Sequence, residues 1–416
     1  MAIIVTHGQF LTLTKHSSYP IYSETIRTTL TMRTLSHSFM IFKCCGLWRP
    51  LHWSPGWKTI VYDSYTNMMI FIIYTFTISE FVNLMGSFDD AKEFANGSFL
   101  LLSMIAVCGK VANLLKKRGA IIDLTNVLQN DMCKPQSHDR FDFSIPRFNT
   151  LWYGALTGTA VVSITVRSLI LDIPQRTLPF KAWLPYNYDA SPIGFWLAYV
   201  HQLVAHAAAA VVNVAFDTLV PGLLRQTCAQ IKILKSRLCA IPKTIDVIRK
   251  SRWDQNDRAN QKENQLLESE LLTECVRHHL EIFQFAKTSN DIFGLAVFLQ
   301  YSVSSVVICA SIYELSRWTH YLTGHINLDY PNLQLGIERY QVHCSTQSLE
   351  ICDAVYGMDW TSFSLRTKRS LLMIMLRSLR PITFTYVSVI RLSLESFNDI
   401  IKLSYSAYNV LQKSAQ

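Results

Sequence analysis

The sequence predicts an all-α, polytopic membrane protein with seven transmembrane helices, a cytoplasmic N-terminus and an extracellular C-terminus. Three observations lead there. Half of the 416 residues are apolar or aromatic and only 17% are charged, against roughly 25% in soluble domains. Windows with the length of a bilayer span, about 20 largely apolar residues, recur along the chain. Lys and Arg collect in alternate connections, as they do on the cytoplasmic side of a membrane. The mean hydropathy of +0.17 is modest because long polar connections separate the apolar windows.

Spans are read at 59–82, 97–115, 148–171, 193–220, 291–313 and 382–411. The first carries Asp63 and Glu80 near its ends, close enough to an interface to reach water. Connection 116–147 begins Lys116-Lys117-Arg118, and 222–290 carries twelve Lys and Arg. By contrast, 83–96 sets Lys92 against Asp89, Asp90 and Glu93, and 172–192 has only Arg176 and Lys181. The N-terminal segment has Lys15, Arg27, Arg33, Lys43, Arg49 and Lys58 against Glu24. Alternation from a cytoplasmic N-terminus then leaves 222–290 inside.

The basic run Arg366, Lys368, Arg369, Arg377 and Arg380 also belongs inside, so a sixth crossing is required between about 315 and 345. Residues 318–343 supply a poor one. Asp329, Pro331, Glu338 and Arg339 fall within it, and each charge near the bilayer centre costs about 2.5 to 3.5 kcal/mol. Two readings stay open: neighbouring helices shield the charges, or a misassigned exon boundary or degenerate gene has replaced the true helix.

In the last span Glu395, Asn398, Asp399, Lys402, Tyr405, Ser406 and Asn409 recur at spacings of three and four, with Leu394, Phe397, Ile401, Tyr408 and Leu411 opposite. A polar stripe on a membrane helix faces protein or a water-filled path, which suggests a pore lining. Val410 and Leu411 are candidates for an apolar gate, with Tyr405 and Asn409 on the polar side. The group Glu395, Asp399 and Lys402 serves equally well as pairs that hold the helix.

Enzyme signatures such as GxSxG, the P-loop, HExxH and the dinucleotide fingerprint do not occur, and no internal repeat of the transporter kind is found. Ten cysteines show no CxxC spacing, so no zinc site or redox motif is expected. Cys344 and Cys352 are a candidate pair. The sequon Asn96-Gly97-Ser98 sits at the outer mouth of the second span, too close to the membrane for glycosylation to be expected. Residues 1–35 lack the apolar core of a signal peptide and form an undefined tail.

Several motifs carry a resemblance. They are Cys45-Gly46-Leu47-Trp48-Arg49-Pro50, Leu178-Pro179-Phe180-Lys181-Ala182-Trp183-Leu184-Pro185 and Asn213-Val214-Ala215-Phe216-Asp217-Thr218-Leu219. Ser348-Leu349-Glu350 to Tyr356, Met358-Asp359-Trp360, Met375 to Pro381 and Leu392-Ser393-Leu394-Glu395-Ser396-Phe397 continue the order. Over residues 36–413 the chain resembles the divergent, ligand-tuned insect odorant receptors, and the Leu178 and Met375 motifs favour that branch over gustatory receptors of related fold.

The resemblance implies a ligand-binding subunit of a tetrameric, non-selective cation channel formed with an obligate co-receptor in the dendritic membrane of an olfactory neuron. It implies three parts: a cytoplasmic segment 1–58, helices one to six over 59–345, and an anchor helix with the pore-lining last helix over 346–416. A small volatile ligand and the bilayer are the other partners implied, with no cofactor, metal or nucleic acid. The odorant site is implied in the outer half, among the second, third, fourth and sixth helices.

A site for volatiles is a largely apolar, aromatic-lined cavity with few polar anchors. The second span offers Leu102 and Ile105, the third Trp152, Tyr153, Leu156 and Thr159, and the fourth Trp196, Tyr199, Val200, Leu203 and His206. Helix packing or lipid contact is the plainer role for any one of them. Connection 172–192, rich in Pro and aromatics, is stiff enough to roof such a cavity. Within 222–290, Gln261 to Arg277 reads as polar helix, which suits cytoplasmic extensions of the fourth and fifth helices. The basic run 366–380 pairs with acidic residues of 222–290, with anionic headgroups, or simply with solvent.

Overall fold

The computed structural model describes residues 35, 37–50, 53, 56–86, 91–128, 145–251, 257–318, 329–360, 363–383, 385–386, 390–391 and 402. The main helices among the described residues are α1 (Trp57–Met85), α2 (Ala91–Lys116), α3 (Arg118–Val127), α4 (Ile145–Leu171), α5 (Pro192–Ser251), α6 (Asp257–Trp318), α7 (Asp329–Tyr356) and α8 (Leu365–Ser378). Among the described residues, five helices are long and apolar enough to cross a membrane, and they contain the first five expected spans.

Residues 222–251 and 257–290 of the long basic connection are helical. α5 and α6 run 60 and 62 residues each, so both continue far beyond the thickness of a bilayer at 1.5 Å per residue. Pro221 and Pro242 lie inside α5 without ending it. α5 is the spine, packing most extensively on α7 and α6 and also touching α1, α2 and α4. Beyond the apolar window its inward face is Leu223, Leu224, Ile231, Leu234, Leu238, Ile241 and Ile245, all buried.

At the start of the chain Gly46 adopts φ +77°, and a Cβ there would stand 2.8 Å from the Tyr65 ring. Only glycine fits that turn. Arg49 then pairs with Asp63 at 3.1 Å, and the Arg118 guanidinium lies 5.6 Å over the Trp48 ring. The Cys45 to Pro50 motif thus clamps α1 to α3.

α7 runs beside the extension of α5. Lys235 reaches Glu350 at 2.5 Å, and Cys239 Sγ lies 3.8 Å from the Ala354 carbonyl oxygen. Cys344 is joined by a disulfide to Cys228, while Cys352 is a free thiol, so the pairing of Cys344 with Cys352 is corrected. The two sit eight residues apart on one continuous helix, about 12 Å along its axis, beyond disulfide reach. Pro331, which weighed against a crossing at 318–343, lies in the first turn of α7, where its missing N–H costs nothing.

α8 starts on Ser364, whose hydroxyl oxygen accepts from the Thr367 N–H at 3.4 Å. The buried Glu268 carboxylate of α6 accepts from Ser364 N at 3.1 Å and Thr367 Oγ1 at 3.0 Å. Arg377, one of the basic run, lies 3.7 Å over the Phe283 ring, so its partner is an aromatic face.

The start of the expected span 382–411 differs from expectation. Thr385 pairs with Arg391 and Tyr386 with Ile390 in a two-residue antiparallel ladder. The run Ile382 to Ile390 alternates β-branched and aromatic residues directly after Pro381, which favours extended backbone locally. The pore and gate candidates Tyr405, Asn409, Val410 and Leu411 lie outside the described residues.

Candidate functional site

A cavity of about 200 Å³ lies among α2, α4, α5 and α6. Its walls are Leu100, Ser103, Met104 and Val107 of α2; Tyr153, Thr157, Ala160, Val161 and Ile164 of α4; His206, Ala209, Ala210 and Asn213 of α5; and Gln300 and Val303 of α6. The spacings of three and four on each helix place every contribution on one stripe. Small residues keep the space open, since Ala209 and Ala210 stand where a larger side chain would fill it.

The connection 172–191 is held over one end. Trp183 N–H donates to the Ser79 carbonyl at 3.0 Å, and the Ser79 hydroxyl donates back to the Trp183 carbonyl. Phe180 N–H donates to Gln202 Oε1 at 3.1 Å. The Phe180 ring then packs on His206 at 4.7 Å and on Phe76 at 5.7 Å. Residues of the Leu178 to Pro185 motif therefore touch a residue that lines the cavity.

The floor is polar. Lys110 of α2 reaches Asn213 Oδ1 and Asp217 Oδ1 of α5, each at 2.5 Å. The Lys110 and Asp217 side chains are only 1% and 2% exposed. The four-residue spacing puts Asn213 and Asp217 on one face of α5, so the Asn213 to Leu219 motif supplies both acceptors for one buried ammonium. Burying that charge unpaired would cost several kcal/mol.

Of the eleven residues offered as ligand contacts, Tyr153 and His206 line this cavity. Trp196 and Val200 line a different feature, an apolar groove of about 1080 Å³ on the outside of α1 and α5 beneath residues 183–186. Tyr199 is buried, its hydroxyl 3.0 Å from Ser168 Oγ. Leu102 and Leu203 are half-buried and stand outside the lining. Ile105, Trp152, Leu156 and Thr159 are exposed on the bundle surface.

The misses share one cause. On α2 the lining stripe is 100, 103, 104 and 107, whereas Leu102 and Ile105 lie on another side of the same turns. A helix apolar all round does not reveal from composition which stripe faces inward. Asn213, Thr157 and Ser103 were missed for that reason, whereas Gln300 and Val303 lie on the fifth span, which was not among the helices expected to hold the site. Lys110 had a signal: a lone cation within an apolar window needs an intramembrane partner, and Asp217 is the acid in the fourth window.

Comparison with known proteins agrees with this architecture. The family model described as 7tm Odorant receptor matches residues 91–331 and 339–405. Odorant receptor 46a, isoform A, of Drosophila melanogaster is 23% identical over 374 residues, covering 86% of this chain and 92% of that protein. Odorant receptor Or1 of Anopheles gambiae is 21% identical over 393 residues, covering 90% and 93%. The insect olfactory receptor OR5 from Machilis hrabei shares the fold with a TM-score of 0.72 at 12% identity, covering 92% of this chain and 98% of that one. Its complex with eugenol gives 0.70 at 14% identity, with coverages of 93% and 99%. The chain therefore belongs to the odorant receptor family of seven-helix membrane proteins, which are receptors and not enzymes.

Proposed function

We propose that this chain is the ligand-binding subunit of an odorant-gated, non-selective cation channel completed by a co-receptor of similar fold in the plasma membrane of olfactory neuron dendrites. The observation that carries the reading is the small cavity walled by α2, α4, α5 and α6, largely apolar with a few polar groups. That is the chemistry a small volatile needs. A receptor of like fold is known in complex with eugenol, a molecule of that class.

In this reading the N-terminus is cytoplasmic, the long extensions of α5 and α6 lie inside, and connection 172–191 roofs the site outside. The last helix, with Tyr405, Asn409, Val410 and Leu411, lines and gates the pore. An odorant that binds the open arrangement more tightly than the closed one by a few kcal/mol shifts the resting population toward conduction. No chemical step is involved.

The test is current recording from cells that express the chain with the co-receptor during an odorant panel. Ala209→Phe, which fills the cavity, is expected to abolish odour-evoked current while the protein still reaches the cell surface. Undiminished responses in that variant would place the ligand elsewhere. A second reading rests on Asp329, Pro331, Glu338 and Arg339 in the expected sixth crossing: the chain comes from a degenerate or misassigned gene and forms no channel. A transcript that encodes an uninterrupted apolar helix at 316–345 would establish the misassignment, and currents from the sequence as it stands would remove this reading.

A further inference from the structure

We infer that the floor of this cavity selects volatiles bearing a hydrogen-bond-accepting oxygen, and that Lys110 is the positioning residue that sets the preference. The inference deepens the proposed function and rests on the cavity being the odorant site.

An ammonium group only donates hydrogen bonds, and a carboxamide has one end that accepts and one that donates. Lys110 Nζ stands 2.5 Å from Asn213 Oδ1, so the amide oxygen is the atom turned toward the lysine. The NH2 end of the same group is therefore turned away from the ammonium, and it belongs to a side chain that lines the cavity.

The amide cannot turn over without cost. Reversal would set its NH2 against the ammonium, beside a pair whose side chains are 1% and 2% exposed. The buried ion pair therefore fixes the floor as a donor.

Two other polar groups of the wall are already engaged. Ser103 Oγ donates to the Phe99 carbonyl at 2.9 Å, and Gln300 Nε2 donates to Ser304 Oγ at 3.2 Å. At the other end His206 packs against Phe180 at 4.7 Å, seven residues from Asn213 on α5, or about 10 Å. An apolar cavity of about 150 Å³ takes benzene, so about 200 Å³ suits a compact volatile only a few atoms larger. Its oxygen meets Asn213 and its hydrocarbon end lies along the apolar part of the wall. A hydrocarbon of the same shape leaves the Asn213 N–H buried and unpaired, a loss of roughly tenfold in affinity.

The experiment uses the channel complex in cells and matched probes: methyl ketones such as acetophenone and 2-heptanone, each against the alkene in which CH2 replaces the carbonyl oxygen. The wild-type receptor is expected to respond to the ketones at roughly tenfold lower concentration than to the alkenes. In Asn213→Leu the two half-maximal concentrations converge, and Asn213→Ser serves where the leucine variant fails to reach the surface. Equal potency of ketone and alkene in the wild type overturns the inference and leaves the odorant site standing. So does a wild-type preference that persists in the variants. If no ketone opens the complex the inference falls, and if a broad mixture of hydrocarbon, acid and amine volatiles also fails, the proposed function falls with it.

Discussion

Along α5, the side chains that meet the cavity are His206, Ala209, Ala210 and Asn213, whereas further on the same helix carries Leu223, Ile231, Leu234 and Leu238, each 1% exposed or less. One stretch is built of small residues around a void. The other is built of branched aliphatics with none of their surface left open. α4, the outer wall of the void, buries only Ser168 along its apolar length, while α6 and α7 press against the α5 extension from two sides. The contrast fits a division of labour in which the loosely packed part yields to a small ligand and the dense part behaves as a rigid lever. Close-packed interiors transmit displacement because they have no slack.

The largest expected effect lies at the boundary between the two. Lys110→Met leaves the Asp217 carboxylate buried without its cation, which costs about 3 to 5 kcal/mol. Thermal unfolding of the purified receptor is expected to shift strongly downward, with little protein at the cell surface. Adding Asp217→Leu removes the stranded charge and recovers most of the loss. A single variant as stable as the parent would mean that the pair is not desolvated as the geometry requires.

Next come paired truncations, one in each region. Leu234→Ala opens a cavity in the dense part and is expected to cost about 2 to 4 kcal/mol. Val303→Ala enlarges a space that already exists, where little transfer energy and few contacts are lost, so about 1 kcal/mol or less follows. Equal losses at the two positions would erase the distinction between the regions.

How far the sequence reached differs between the regions for a physical reason. The first five spans were legible because apolar length is a property of composition, and five helices of the structure contain them. The helical extensions of α5 and α6 were legible from polar helix-forming stretches such as Gln261 to Arg277. Of the spans that wall the cavity, the second, third and fourth were expected and the fifth was not, since the resemblance implied the sixth. Tyr153 and His206 line the cavity, but Ile105 and Trp152 are turned outward, because hydrophobicity is the same whether a side chain meets lipid or a neighbouring helix. What would have fixed the rotation was charge: Lys110 faces Asp217, and that single constraint orients α2 against α5. At 385–386 and 390–391 a short ladder stands where a helix was expected, as the β-branched and aromatic residues there favour locally.

Glu268 tests whether the dense region depends on its polar pins as well as on aliphatic packing. Its carboxylate, only 4% exposed, accepts from both Ser364 N and Thr367 Oγ1. Glu268→Ala strands both donors and is expected to cost about 1 to 3 kcal/mol. Amide exchange would rise at Ser364 and in the first turn of α8. Unchanged protection of those amides would show that the Ser364 cap alone holds the helix.

A modest effect is expected where α8 meets α6 through Arg377 and Phe283. The guanidinium stands 3.7 Å from the ring centroid, and burial together with the neighbouring Arg380 pulls its pKa below the usual arginine range. It remains charged at any physiological pH, so the contact is a stacked cation on an aromatic face, worth about 0.5 to 2 kcal/mol. Arg377→Lys keeps the charge and loses the flat surface that stacks, so it is expected to recover only part of the loss seen in Arg377→Leu. Since the partner is a ring quadrupole and not a carboxylate, that loss should change little between low and high salt. A strong salt dependence would instead reveal an acidic partner, and the ordered seat of α8 on α6 would then rest on ion pairing rather than on the close stacking that characterises the dense end of the bundle.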